Sequence, residues 1–291
     1  MTPLSTPFIG SEALTSAMVN RHQLRTRFTA IYPNVYVPAD RVPSLRDRTV
    51  GAWLWSQRRG VVSGLAAAAM LGSKWVDPST PVELVHTNPR APKGIITRRY
   101  KLLDDEIVDR RGIEMTTAAR TAFDVGRQIS VAASVSRLDA LCRATGCTVA
   151  DIEALAAKHP GARGVRLLET ALTLVDPGAQ SPKESWLRLL LIRNGFPTPT
   201  TQIPVTVDGA PVAYLDIGWE EWMVAAEYDG DQHRTDRWQY VKDVHRLEML
   251  KELGWIVIRV VAEDRPAEIV RRVRAALAQR QLSVRSGRKA G

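Results

Sequence analysis

The run Asp176-Pro177-Gly178-Ala179-Gln180-Ser181-Pro182 constrains this chain more than any other stretch. Two prolines and a glycine so close together exclude a continuous helix or a central strand. The segments on either side of the run are therefore expected to fold as separate blocks. The run also starts something. Ser181 can cap a helix, Pro182 suits the first helical position, and Glu184 stands three residues after the cap. Asn194-Gly195 then supplies the stop. Beyond it, Gln202 to Val207 alternates polar and apolar residues, and Asp208-Gly209 is a two-residue hairpin signal leading into a strand from Val212 to Ile217. A third strand ends at Asp229, a helix is expected from about Thr235 to Leu253, and Trp255 to Val261 is a near-continuous apolar strand that needs cover on both faces. Pro266 opens a last helix. The block reads αβββαβα.

Its chemistry gathers between Tyr214 and His233, in the sequence YLDIGWEEWMVAAEYDGDQH. Side chains alternate across a strand, so Glu227 and Asp229 share one face while Ala226 and Tyr228 share the other. A hairpin about Trp219 to Trp222 brings Asp216 near Glu227 only if the two strands are offset or splayed, and the residues alone leave that register open. Ionised carboxylates at the ends of apolar strands repel each other and are costly to desolvate, so a cation is the natural compensation. Mg²⁺, with Mn²⁺ as its substitute, needs one or two carboxylates and keeps water for the rest of its shell. Asp216 and Glu227 suffice for that.

Asp216, then Glu227-x-Asp229-Gly230-x-x-His233, then a helix carrying Asp243 and Arg246 and ending in Leu253-Gly254-Trp255 before a strand, resembles the PD-(D/E)XK nuclease superfamily. Its nearest branch is the one related to very-short-patch-repair (Vsr) endonucleases. The resemblance implies a restriction-endonuclease-like domain that hydrolyses phosphodiester bonds in DNA with a bound metal ion. Two positions depart from the pattern: Leu215 stands where proline is common, and Asp229 replaces the lysine of the (D/E)XK element. In this reading Asp216 and Glu227 hold the ion, and Glu184 completes or orients its shell through water, although Glu184 is equally explained as a helix cap. His233 is the proton-transfer group and Lys242 the fallback. Asp229 orients His233 or ligates the metal, and Arg246 contacts DNA.

The N-terminal half reads as a binding region. Ser11 can cap a helix through Met18, and Asn20 a second one carrying Leu24 and Phe28. Ile31 to Val37 forms a β-ribbon turned at Pro33-Asn34. Helix, helix, ribbon describes a reduced winged helix, with Arg21, His22, Arg25 and Arg27 on the second helix, where a recognition helix meets phosphate. The alternative is an ordinary solvated helix face. From Arg46 to Leu71 the chain is expected to be helical, Val82 to His86 and Gly94 to Tyr100 read as strands around a polar turn, and Arg98, Arg99 and Lys101 mark a phosphate contact or a guarded edge. Helices are expected next over Thr116–Gly126, Val131–Cys142, from Thr148 to Ala157 and over Val165–Leu174. Together with Leu45 to Leu71 and Thr116 to Ala122, the N-terminal segment resembles the AbiEi-like antitoxin family. Members of that family join a small winged helix, associated with DNA binding and autoregulation, to a second α/β domain.

The expected fold class is α/β (α+β). A winged-helix region occupies 1–45, an α/β middle region 46–177, a nuclease-like domain 178–282 and a basic disordered tail 283–291. A formal charge of +9 on 291 residues favours a polyanionic partner, and DNA is the expectation. Cys142 and Cys147 support neither a disulfide framework nor a zinc site. No window approaches a membrane span and no leader is evident, so the expected location is the cytoplasm. A homodimer and a cognate toxin or repair partner stay open. Two functions compete: a metal-dependent DNA endonuclease, and a non-catalytic DNA-binding regulator of the antitoxin type.

Overall fold

The computed structural model describes residues 4–128, 130–230 and 237–287. The chain is an α/β protein that divides into two compact units, Met1–Val175 and Asp176–Gly291.

The first unit begins with β1 (Phe8–Ile9), α1 (Gly10–Thr15), α2 (Arg21–Arg27), β2 (Phe28–Tyr32) and β3 (Val35–Pro38). The strands form a three-stranded antiparallel sheet in the order β1-β3-β2. Asn20 caps α2 through a reciprocal pair with Gln23: Gln23 N–H donates to Asn20 Oδ1 at 2.8 Å and Asn20 N–H to Gln23 Oε1 at 2.9 Å. α1 stops at Thr15, short of Met18, and Ala17 adopts a positive φ just beyond it. Ile9, Tyr32 and Val35 share a core with the rest of the unit, packing in one cluster with Val62, Leu84 and Met115.

The remainder of the unit comprises α3 (Leu45–Trp55), β4 (Val61–Ser63), α4 (Gly64–Met70), β5 (Val82–Val85), β6 (Ile95–Arg98), β7 (Ile107–Arg110), β8 (Ile113–Thr116), α5 (Ala118–Gly126), α6 (Val131–Thr145), α7 (Val149–Ala157) and α8 (Val165–Leu172). Its mixed five-stranded sheet has the order β6-β5-β4-β8-β7. Here the structure corrects the sequence reading twice. β4 interrupts what reads as one helical stretch, because the short run Val61-Val62-Ser63 is fully buried and becomes the central strand. β5 and β6 pair in parallel, so the segment between them is a crossover. The β7–β8 hairpin closes the sheet at one edge, and Arg98, a candidate phosphate contact, is tied to Glu83 by a 2.8 Å ion pair. Below the sheet Arg120 is buried, donating to Glu106 at 2.5 Å, to Asp124 at 2.8 Å and to the Lys101 carbonyl at 3.0 Å. Arg127 adds a second guanidinium to Asp124 at 2.8 Å, so this network is internally neutralised.

The second unit keeps the expected order: α9 (Pro182–Arg193), β9 (Thr200–Val207), β10 (Ala210–Trp219), β11 (Val224–Tyr228), α10 (Arg237–Glu252), β12 (Ile256–Val260) and α11 (Pro266–Gly287). Its sheet runs β12-β11-β10-β9, with β12 parallel to β11 and the other pairs antiparallel. Asp208 and Gly209 both take positive φ, 51° and 80°, as a two-residue hairpin turn requires. α9 and α11 bury Leu187, Leu191, Ile269 and Val273 in a cluster that includes Ala226; α10 places Leu250 in a different cluster that includes Ala225. Adjacent residues of β11 thus point into opposite layers. The Asp176–Pro182 run is no free tether. Asp176 accepts from Gly178 N–H at 2.8 Å and from the Thr201 hydroxyl at 3.0 Å, and Ala179 is buried, which fastens the run to β9. α11 continues to Gly287, into residues that read from sequence as a tail. Among the described residues, no helix is long and apolar enough to cross a membrane.

Candidate active site

The β10–β11 pairing decides the site. Ile217 faces Ala226, Gly218 faces Ala225 and Trp219 faces Val224, a register that, continued by one residue, sets Asp216 opposite Glu227. The tight turn makes this possible: a 3₁₀ turn over Glu220–Trp222 is followed by Met223 in the left-handed region at φ 50°. Gly218 is part of the same device, since a Cβ there would lie 2.5 Å from the Val224 carbonyl oxygen and 2.9 Å from the Ala225 Cα. Only glycine lets the strands approach this closely two residues from Asp216.

At the open end of the pair the Asp216 side chain takes over from the backbone. Its Oδ2 accepts the Tyr228 N–H at 3.0 Å, and Oδ1 makes no hydrogen bond among the described residues. Burial pushes the Asp216 carboxyl up to about 7, helped by the nearby negative charges of Glu184 and Glu227; the Tyr228 N–H and Arg246 pull the other way. Glu184 is buried on α9. Its Oε2 accepts from the Gln180 N–H at 2.7 Å and its own N–H donates to Ser181 Oγ at 3.2 Å. The two readings of Glu184 therefore hold together: it fastens the helix start and it lies within electrostatic reach of Asp216.

A cavity of about 270 Å³ is lined by Asp216, Glu227, Tyr228, Asp229, Asp243, Arg246, Leu247 and Arg259. Arg246, on α10, grips Glu227 with a fork, Nη1 to Oε2 at 3.0 Å and Nη2 to Oε1 at 2.5 Å, and Nη2 also donates to the Tyr214 carbonyl at 2.8 Å. That hydrogen-bonded pairing, with Asp216 and Asp243 nearby, raises the Arg246 pKa further. Arg259 pairs with Asp229 from β12, where it lies beside Glu227 in register. On the opposite side of β11, Trp186 meets Tyr228 edge-on at 6.4 Å, and Lys183 Nζ lies 5.5 Å from the centre of the Tyr228 ring.

The structure thus brings Asp216, Glu227, Asp229 and Arg246 to one cavity, with Glu184 beside it. Lys242 is exposed and does not line it. His233 lies outside the described residues. Arg21, His22, Arg25 and Arg27 are exposed on α2 of the other unit. Sequence reasoning missed Arg259. The signal was present, since it is the only charged residue within the apolar run of β12. It also missed the Arg246–Glu227 pair, which joins residues far apart in the chain and has no local signature.

Among the described residues, no group of three or more His, Cys, Asp or Glu side chains is placed to hold a metal ion. An ion of the Mg²⁺ type takes one or two carboxylates and water; Asp216 and Glu227 supply that number, with both Glu227 oxygens engaged by Arg246. Asp216 Oδ1 makes no hydrogen bond among the described residues, and burial, then the charges of Glu184 and Glu227, disfavour its ionisation.

The chain is 33% identical over 149 residues to each of two uncharacterized proteins of Mycobacterium tuberculosis, one from strain CDC 1551 / Oshkosh and one from strain ATCC 25618 / H37Rv. The matched stretch is 51% of this chain and 55% of each relative, so the chain spans about half the length of the curated relatives it matches. No family model matches the chain, and no solved structure matches it.

Proposed function

We propose that the protein is a metal-dependent DNA endonuclease of the PD-(D/E)XK type, with the αβββαβα unit as its catalytic part and the winged-helix region as a DNA-binding part. The observation that carries this reading is the register that sets Asp216 against Glu227 at a strand-pair end, with Asp216 held near neutrality by burial and by two carboxylates. A strongly perturbed acid in a cleft is a candidate functional residue. A bound Mg²⁺ would activate water and neutralise charge developing on the phosphoryl oxygens. Asp216 and Glu227 would hold it, and Glu184 would bias the electrostatics of Asp216 from α9. His233 comes soon after Asp229 in sequence and is assigned the proton transfer, an imidazole being suited to exchange near neutral pH. Asp229, paired with Arg259, is assigned to orientation. The exposed cations of α2 are assigned to phosphate contact, and a cytoplasmic location is assigned together with the DNA substrate.

A second reading draws on a specific observation. Glu227 and Asp229 are each engaged by an arginine, and the lysine of the nuclease pattern is replaced by Asp229. A DNA-binding regulator of the AbiEi-like type, with a nuclease fold kept as scaffold, is consistent with such a closed set of ion pairs. Plasmid cleavage with Mg²⁺ or Mn²⁺, compared in wild type, Asp216→Asn and Glu227→Gln, separates the two. The nuclease reading expects metal-dependent cleavage lost in both variants with duplex binding in EDTA retained. DNA binding by the folded wild type with no cleavage of duplex, single-stranded or mismatched DNA leaves the regulator.

A further inference from the structure

The cavity at the end of β10 and β11 is lined by four carboxylates, Asp216, Glu227, Asp229 and Asp243, and by two guanidiniums, Arg246 and Arg259. Both arginines are engaged with carboxylates. The Arg246 fork covers both Glu227 oxygens, at 3.0 and 2.5 Å. A fork that meets a carboxylate head-on uses the lone pairs directed toward it, the same direction from which a cation binds best. A fixed positive charge within hydrogen-bonding distance of Glu227 also repels a divalent ion, and it does so strongly in a partly buried site. Arg246 and a divalent cation are thus rivals for one carboxylate. The Arg246 side chain is 33% exposed, which leaves room to turn toward solvent. Its further hydrogen bond among the described residues goes to the Tyr214 carbonyl, at 2.8 Å, on the strand that carries Asp216. Released from Glu227 but held there, the guanidinium would remain beside the cavity with donors unspent. Guanidiniums recognise phosphate oxygens with the same fork.

We propose that Arg246 is a shared counter-ion: it holds Glu227 in the absence of a divalent cation and passes to a phosphodiester oxygen when the cation takes Glu227, so that cation and DNA bind cooperatively. The proposal rests on the nuclease reading above and adds to it a reason for the missing lysine. The positive charge at the phosphate comes from α10, and it is masked until metal and DNA are both present. Coupling of this kind is reciprocal, the cation strengthening DNA binding by the factor by which DNA strengthens cation binding.

The test measures binding, using Mn²⁺ followed by electron paramagnetic resonance and a labelled duplex followed by fluorescence anisotropy in EDTA or in Ca²⁺. In the full-length wild type, Ca²⁺ should raise duplex affinity on the order of tenfold. In Arg246→Gln, Mn²⁺ should bind several-fold more tightly than in wild type without DNA, and the Ca²⁺-dependent gain in duplex affinity should vanish. Arg246→Lys keeps the charge and loses the fork, so it should bind Mn²⁺ more tightly than wild type while retaining part of the gain. If Arg246 only positions Glu227, Arg246→Gln will bind Mn²⁺ equally or more weakly, and that result overturns the proposal. So does a Ca²⁺ gain that survives in Arg246→Gln. Should Arg246→Gln fail to fold by circular dichroism, Arg246→Lys decides: wild-type Mn²⁺ affinity with an undiminished gain is again fatal. A wild type that binds no Mn²⁺ removes the nuclease reading together with this one, whereas Mn²⁺ binding without coupling removes this one alone.

Discussion

Asp216→Asn should make the protein more stable, and the gain should depend on pH in a defined direction. In the folded chain the Asp216 carboxyl is pushed from an ordinary 3.8 up to about 7, chiefly by burial and then by Glu184 and Glu227. A carboxyl raised on folding keeps its proton in the native state over a range where the unfolded chain has lost it. Stability is therefore full below about pH 4, falls as pH rises through the interval between these two values, and stays low above it. At about 1.4 kcal/mol per pH unit, the interval corresponds to roughly 4 kcal/mol at pH 8; partial solvent contact lowers the expectation to about 2–4 kcal/mol. Asparagine removes the charge and keeps an oxygen for the Tyr228 N–H, so the variant should recover that amount at pH 8 and nothing near pH 4. Urea denaturation of both proteins across that range gives the answer. Mg²⁺ should restore part of the deficit in wild type and none in the variant, because an ion that binds only the folded state stabilises it by mass action. A variant equal to or less stable than wild type at pH 8 would show that Asp216 carries no such burden, and the electrostatic basis for a cation site would go with it.

The same geometry sets the outcome of other perturbations. Arg120→Leu strands Glu106 and Asp124 as buried charges and should cost about 3–5 kcal/mol by denaturation; a loss under 1 kcal/mol would mean that Arg127, paired with Asp124, and His159, whose Nε2 meets Glu106, already suffice. Because its partners hold the Glu106 carboxyl below the usual range despite burial, its contribution is present above about pH 4.5 and should be lost as pH falls through the lowered value. Gly218→Ala drives a methyl into the Val224 carbonyl and should cost about 1–3 kcal/mol while displacing Asp216 from Glu227; unchanged stability and Mn²⁺ affinity would refute the close-approach account. Replacing Arg21, Arg25 and Arg27 by Gln should weaken duplex binding and reduce its salt slope by roughly 0.9 for each phosphate that is no longer neutralised; an unaltered slope would assign those side chains to a solvated face.

What the sequence determined by itself is what neighbouring residues decide among themselves. Asn20 with Gln23, Thr148 with Asp151 and Ser181 with Glu184 mark helix starts, because each N-cap side chain accepts the N–H three residues on. Asp208-Gly209 marks a hairpin because both residues tolerate positive φ. The alternation that puts Glu227 and Asp229 on one face of β11 is equally local. Pairings across distance were not legible. β5 and β6 read as strands, yet nothing near them says that they run parallel, and the three residues of β4 become the centre of a sheet only once helices cover them. The site itself lay partly within reach. Its acids stand out as charges at the ends of apolar strands, but their meeting depends on the register of β10 against β11, which Gly218 and the Met223 turn permit and the packed core enforces. The partners of those acids, Arg246 on α10 and Arg259 on β12, come from segments whose positions are set by the parallel crossover, so only the tertiary structure could show which carboxylate each arginine holds.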